Sequence, residues 1–131
     1  GEEFVATVTV EDGLDATRIM IPSMIVQIPV ENAIKHGLAG KDGKKELSVY
    51  VSRETNGIRI TVTDNGRGYL PQVVSATWGT GTGLKVLYQT IQLLNTKNKS
   101  DKIRFNITNR SDGQTGTEVS VYIPFRFSYD L

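Results

Sequence analysis

The chain contains no cysteine. Disulfides, thiolate metal sites and cysteine nucleophiles are therefore excluded at once. Histidine is almost as scarce, and the single one, His36, rules out a multi-histidine zinc cluster within the chain. An excess of charge of one sign is also missing. Lys and Arg number 15 against 14 Asp and Glu, a formal charge of +1. That is too little for a strongly electrostatic grip on nucleic acid, so no nucleic-acid partner is expected. No apolar run approaches the roughly 20 residues that cross a bilayer, and no signal peptide is visible. Repeats and long low-complexity stretches are lacking as well. What remains is 131 residues, 38% hydrophobic and 22% charged. This suits a single domain over residues 1–131 and argues against wholesale disorder. The chain opens on Gly1-Glu2-Glu3 rather than Met and reads as a piece of a longer protein.

Alternation of apolar and polar residues marks the strands. Residues 4–10 read as the first. Leu47, Val49 and Val51 alternate with Ser48, Tyr50 and Ser52. Asn56-Gly57 is a hairpin signal, after which Ile58, Ile60 and Val62 share a face. Ile103, Phe105 and Ile107 form the next set, and Val119, Val121 and Ile123 the last, which Pro124 ends. Two helices are expected. One lies within residues 23–36 with Gly37 as its stop, and Pro29 inside it predicts a kink or a late start. The other runs from near Gly83 to about Asn95, with Leu84, Leu87, Ile91 and Leu94 as its apolar stripe. Adjacent antiparallel strands with helices on one face imply an α+β two-layer sandwich with a mixed, mostly antiparallel sheet.

Four clusters carry chemistry. Counting by twos from Ile58 puts Asp64 on the covered face of its strand, where a carboxylate is costly unless it meets donors. Either Asp64 caps the turn Asn65-Gly66-Arg67-Gly68, or it is a buried acceptor for a ligand N–H such as an exocyclic amine. Gly79-Thr80-Gly81-Thr82-Gly83-Leu84 precedes a helix, so it is a flexible loop or a phosphate site made of backbone N–H groups. It is neither a Walker A loop nor a dinucleotide fingerprint, because the Lys-Ser/Thr ending and the glycine spacing are wrong. Glu31-Asn32-Ala33-Ile34-Lys35-His36-Gly37 places Asn32 and His36 at i, i+4 with Lys35 beside them. It is an ordinary polar helix end with a Glu31–Lys35 pair, or a phosphate and Mg²⁺ face: an Asn carbonyl oxygen suits Mg²⁺ and Lys35 offers a point charge. Finally, counting back from Ile123 puts Thr117, after Gly116, on the covered face. Its hydroxyl bonds a neighbouring strand or faces the same ligand as Asp64.

These four pieces, in this order, resemble the catalytic and ATP-binding domain of sensor histidine kinases, in the GHKL (Bergerat-fold) ATPase superfamily. Residues 31–37 look like the N box, residues 64–68 the G1 box and residues 79–84 the G2 box. Gly116-Thr117 before a strand ending in Pro124 is similar to the closing segment of that fold. Ile21-Pro22-Ser23-Met24, then Gln27, then the N box are most similar to the LytS/YehU type of bacterial kinase. The resemblance spans residues 21–125. It implies ATP and Mg²⁺ as ligands, with Asn32 on the metal and Lys35 and His36 near the phosphates. Asp64 would accept from the adenine amino group, Gly66 and Gly68 would let adenine approach, and Thr117 would help fix it. Gly79, Gly81, Thr82, Gly83 and the backbone of Leu84 would hold phosphates. Residues 69–82, including Trp78, would form a short ATP lid.

The implied function is transfer of the ATP γ-phosphate to a histidine on a separate dimerisation domain, as part of a two-component system with a response regulator. The parent would be a membrane-anchored homodimer with this domain in the cytoplasm; the fragment by itself is expected to be a monomer. His36 lies in the N box, so the chain holds no phosphoacceptor. Alternatives are a serine-type protein kinase or ATPase of the same superfamily, and a degenerate module without catalysis. Several departures stand out. Ile28 occupies the position where hydrolysing relatives place a Glu as general base, so hydrolysis is not expected. Glu31 is next to Asn32 but points about 100° away around an ideal helix, a poor place for a base. Ile28 also separates Gln27 from Pro29, no F box is present, and Gln89-Thr90-Ile91 stands where LytS-type relatives often carry Arg-Glu-Arg.

Overall fold

β-branched residues at every second position dominate the strands, and the computed structural model realises that pattern as one five-stranded sheet. The structure describes residues 3–15, 17, 19–38, 40–68 and 83–129. Its elements run β1 (Phe4–Val10), α1 (Met24–Asn32), a π-helical turn (Ala33–Gly37), β2 (Lys45–Glu54) and β3 (Gly57–Asp64). They continue with α2 (Gly83–Thr96), β4 (Arg104–Asn109) and β5 (Thr117–Pro124). The strand order is β1-β2-β3-β5-β4. β1 lies parallel to β2, joined through α1, and the other three pairings are antiparallel. The expected α+β sandwich with a mixed sheet is what forms.

Register places the apolar residues of neighbouring strands on one face. Val49 pairs with Val62, Ile60 with Val121 and Phe105 with Val121. The two helices cover this face, so Leu47, Val49, Ile58, Ile60, Val62, Val119, Val121 and Ile123 are buried with Ile25 of α1. From α2 come Leu87, Ile91 and Leu94, at the expected spacing. β1 is an edge strand, and the helices leave most of it uncovered: Val8 is 72% exposed. No helix among the described residues is long and apolar enough to cross a membrane.

Three local expectations need correction. Pro29 sits fully buried inside α1, but the helix does not start late; it begins at Met24. The irregularity comes afterwards, as the π turn that closes with the Leu38 N–H on the Ala33 carbonyl. The hairpin turn is also one residue earlier than Asn56-Gly57 suggests. Glu54 pairs with Gly57, leaving Thr55-Asn56 as the turn, with Asn56 at φ 60°. Gly57 is needed inside the strand instead, because a Cβ there would run into the Ile123 carbonyl and the Tyr122 ring. Lastly, alternation points Tyr122 to the open face, yet it is buried. The Arg104 guanidinium lies 4.2 Å over its ring, and its hydroxyl donates to the Thr55 carbonyl.

The packing of α2 yields a direct contrast. Leu87 is completely buried, whereas Val86 beside it is 46% exposed. In denaturant titrations, Leu87→Ala is expected to cost about 2–5 kcal/mol and Val86→Ala less than about 0.5 kcal/mol. Equal losses would contradict the placement of α2.

Candidate functional site

β3 ends on Asp64. Leu47 pairs with it from β2, and the Thr63–Glu118 pairing brings Thr117 of β5 opposite on the other side. Asp64 is therefore buried at the middle of the sheet, 4% exposed. Its Oδ1 accepts two backbone N–H bonds, from Gly66 at 2.8 Å and Thr117 at 3.3 Å. Its Oδ2 has no donor among the described residues. The Thr117 hydroxyl, also buried, has no partner among them either. Burial pushes the Asp64 carboxyl above its ordinary 3.8; the Gly66 and Thr117 N–H bonds and the nearby Arg110 guanidinium pull the other way without cancelling it. One oxygen of Asp64 thus caps the turn, as the first alternative has it, and the other has no donor among the described residues.

Close backbone contacts seat this carboxylate. Asn65 anchors the turn to the start of β2, its Oδ1 accepting from the Glu46 N–H at 2.8 Å and its Nδ2 donating to the Lys44 carbonyl at 3.0 Å. A side chain at Gly66 would collide with the Gly37 carbonyl, so the turn after Asp64 packs directly on the end of the π turn. A Cβ at Gly37 would come within 2.6 Å of Asp64 Oδ2. Gly116, at φ 145°, lies against the Asp64 carbonyl with no room for a Cβ. Gly37 and Gly66 line an open cleft of about 530 Å³, together with Gly40, Lys41, Arg67 and Thr115.

The sequence candidates fare differently. Asp64, Gly66, Thr117 and the residue Gly37 come together. Gly68 is adjacent, at φ 95°, beside the Asn109 side chain. Protein atoms already crowd positions 66 and 68: a Cβ would meet the Gly37 carbonyl at the first and Asn109 Oδ1 at the second. Asn32 is half-buried at the C-terminal end of α1, and Lys35 is exposed on the π turn. The Glu31–Lys35 pair does not form among the described residues. The π turn breaks the i, i+4 relation, and Glu31 instead accepts from Gln27 Nε2 at 2.9 Å on the exposed face. Gly83 and buried Leu84 open α2, where the sequence predicts that helix to begin. Ile28 packs beside Gly83, 3.0 Å from where a Cβ would stand. Gly79, Gly81 and Thr82, the lid expected over 69–82 and its Trp78 lie outside the described residues, as does the side chain of His36. Sequence reasoning missed Arg110, whose NH1 donates to the Asp64 carbonyl at 3.4 Å. The Asp112-Gly113 turn signal just before Thr117 could have pointed to it.

A buried carboxylate with one bare oxygen is a local burden on stability. Because its proton is held more tightly in the folded state, the burden is present at neutral pH and disappears as pH falls through the raised value towards 3.8. Asp64→Asn keeps an oxygen for Gly66 and Thr117 and removes the charge. Thermal melts of the unliganded protein are expected to show the variant a few degrees more stable at pH 7, with the gap narrowing as the pH is lowered. A variant less stable than wild type at pH 7 would mean that Arg110 more than offsets the burial.

Comparison with known proteins agrees with this geometry. Residues 18–126 match the family described as histidine kinase-, DNA gyrase B- and HSP90-like ATPase. The sensor protein LytS of Staphylococcus epidermidis is 32% identical over 120 residues, covering 83% of this chain and 19% of LytS. The chain thus spans about a fifth of the curated relatives' length. Among solved structures, the histidine kinase domain of the Erythrobacter litoralis EL346 blue-light activated kinase superposes with a TM-score of 0.63 at 21% identity, over 92% of this chain and 51% of that one. The histidine kinase ThkA, solved in complex with the response regulator protein TrrA, superposes with a TM-score of 0.57 at 15% identity, over 94% and 34% of the two chains. The match over residues 18–126 shows that the chain belongs to the histidine kinase-, DNA gyrase B- and HSP90-like ATPase family, and its sequence is similar to part of LytS-type sensor proteins.

Proposed function

We propose that the domain binds ATP with Mg²⁺ and presents the γ-phosphate to a histidine of a separate dimerisation domain in its parent protein. The observation that carries this reading is the buried Oδ2 of Asp64, which has no donor among the described residues, with Thr117 also buried on the next strand. An adenine amino group supplies the missing donor. Gly83 and Leu84 open α2, whose first N–H groups lack intrahelical partners and favour phosphate. The resemblance adds Lys35 and His36 as sources of positive charge or donors for the phosphates, and Gly79, Gly81 and Thr82 as further phosphate-binding residues.

Asn32 is the residue here suited to the metal: an uncharged carbonyl oxygen fits a hard cation that keeps its waters and phosphate oxygens. When bound, Mg²⁺ neutralises phosphate charge; the chain itself holds and orients the nucleotide. In the transfer, the bond from the γ-phosphorus to the bridging β–γ oxygen breaks and a bond to the acceptor imidazole nitrogen forms, with ADP leaving. Little covalent work falls to this domain, so positioning supplies most of the catalysis. The acceptor imidazole is its own nucleophile. Water would need a base, and Ile28, packed against Gly83, cannot move a proton; Glu31 faces Gln27 instead. By this reading the partners are the parent's dimerisation domain and a response regulator, and the domain works on the cytoplasmic side of a membrane-anchored homodimer.

Calorimetric titration tests the reading. ATP should bind more tightly with Mg²⁺ than without it. Asp64→Asn should weaken ATP and ADP alike, by about tenfold or more. Unchanged affinity in a folded variant would remove the adenine role. Asn32→Ala should chiefly abolish the Mg²⁺-dependent gain, and an undiminished gain would exclude Asn32 as a ligand. Steady-state hydrolysis by the isolated domain should stay near background, and vigorous turnover would overturn the argument from Ile28.

A further inference from the structure

The β4–β5 connection, residues 110–116, is closed on itself. The Arg110 N–H donates to the Gly116 carbonyl at 3.1 Å. Arg110 Nε and NH2 grip Asp112 Oδ1 and Oδ2 at 3.2 and 2.6 Å, a fork-to-fork geometry that holds a guanidinium in one orientation. The Gln114 N–H donates to Asp112 Oδ1 at 3.1 Å. The third guanidinium nitrogen, NH1, is aimed elsewhere, at the Asp64 carbonyl, 3.4 Å away. The Arg110 side chain is only 14% exposed, whereas that of Asp112 is 49% exposed. The aliphatic stem of Arg110 also lies where a Cβ of Gly116 would be, 2.8 Å from its Cδ. Arg110 therefore presses the Gly116-Thr117 backbone onto Asp64, and the Thr117 N–H reaches Oδ1 from that position.

From this geometry we infer that Arg110, clamped by Asp112, is a positioning residue that fixes both the place and the charge of the Asp64 carboxylate for the nucleotide base. The inference rests on the ATP reading above. A simpler role, stapling the hairpin loop, would account for the Asp112 contacts. It does not account for a guanidinium nitrogen spent on Asp64, or for the burial of the stem against Gly116. Other charged groups approach the same region. Glu46 on β2 and Asp112 both face Arg110. Arg67 follows Asp64 in its own turn, and Lys41 reaches the cleft from beyond the π turn that carries Lys35. Arg110 contacts Asp64 itself, at its backbone carbonyl, and it draws the carboxyl downward against the effect of burial.

The test combines two readouts on the full chain: titration of the Asp64 carboxyl carbon by NMR without nucleotide, and ATP affinity by calorimetry. In Arg110→Ala the carboxyl midpoint should move to higher pH, and ATP binding at pH 7 should weaken about tenfold. Arg110→Lys keeps the charge but loses the fork, so its midpoint should lie nearer wild type while affinity falls between the two. Asp112→Asn frees the guanidinium and should weaken ATP binding severalfold; it keeps the test available should Arg110→Ala not fold. A role confined to stapling the loop would lower stability without moving the carboxyl midpoint. A folded Arg110→Ala with unchanged midpoint and unchanged affinity overturns the inference and leaves the ATP reading intact. Wild-type protein that binds no ATP overturns the reading itself, whatever the midpoint does.

Discussion

A carboxylate buried at the end of a central strand has to be reconciled with its surroundings, and much of this domain is arranged around that demand. Removing an ionised carboxylate from water costs several kcal/mol even after relaxation. Two backbone N–H bonds to a charged acceptor return about 1.5–3 kcal/mol each. Both fall on Oδ1 of Asp64, so Oδ2 remains a local deficit that the apolar core beneath must carry. The supporting chain is close around it. The Asn65 side chain ties the turn to β2, the π turn brings Gly37 against Gly66, and Gly116 lies on the Asp64 carbonyl. Apart from the Asn65 side chain, these contacts are backbone against backbone, which explains why glycines gather here.

The proposed function turns on the asymmetry between the two oxygens. A fully satisfied carboxylate would stabilise the fold and recognise nothing. In the proposed function, an oxygen without a donor among the described residues would discriminate by hydrogen-bond type, since a ligand without a donor leaves it unpaired in low dielectric. In the same proposal, Ile28 against Gly83 puts a hydrocarbon beside the start of α2, which would suit a domain that keeps its phosphoryl group for a protein acceptor.

The sheet was largely legible in the sequence because it obeys period 2. The parity of Ile58, Ile60 and Val62 sufficed to bury Asp64, and the parity of Val119, Val121 and Ile123 sufficed to bury Thr117. The stripe of α2 was equally plain. Where the reading went astray, tertiary contacts had overridden local signals. Gly57 marks the passage of β5 rather than a turn, and Tyr122 is buried by a cation from the neighbouring strand. The π turn after Asn32 is invisible to helical-wheel counting, and it undid the expected Glu31–Lys35 pair. Arg110 escaped notice because its target is a backbone carbonyl reached across the sheet, a contact no spacing rule encodes. At Gly66 and Gly68 the structure adds a reason for glycine that spacing does not show, since a Cβ there would meet the Gly37 carbonyl or the Asn109 side chain.

The central claim, that the bare oxygen of Asp64 reads the exocyclic amine of adenine, is tested most directly by changing that amine and nothing else. Purine riboside triphosphate has the ATP skeleton with hydrogen in place of the 6-amino group. Calorimetric titration of the wild-type chain with both nucleotides, in the presence of Mg²⁺, should show ATP preferred by about 10- to 100-fold, the range for a hydrogen bond to a charged group. In Asp64→Asn that preference should largely vanish. Equal affinity of the wild-type chain for the two nucleotides would contradict the account and detach the buried carboxylate from base recognition.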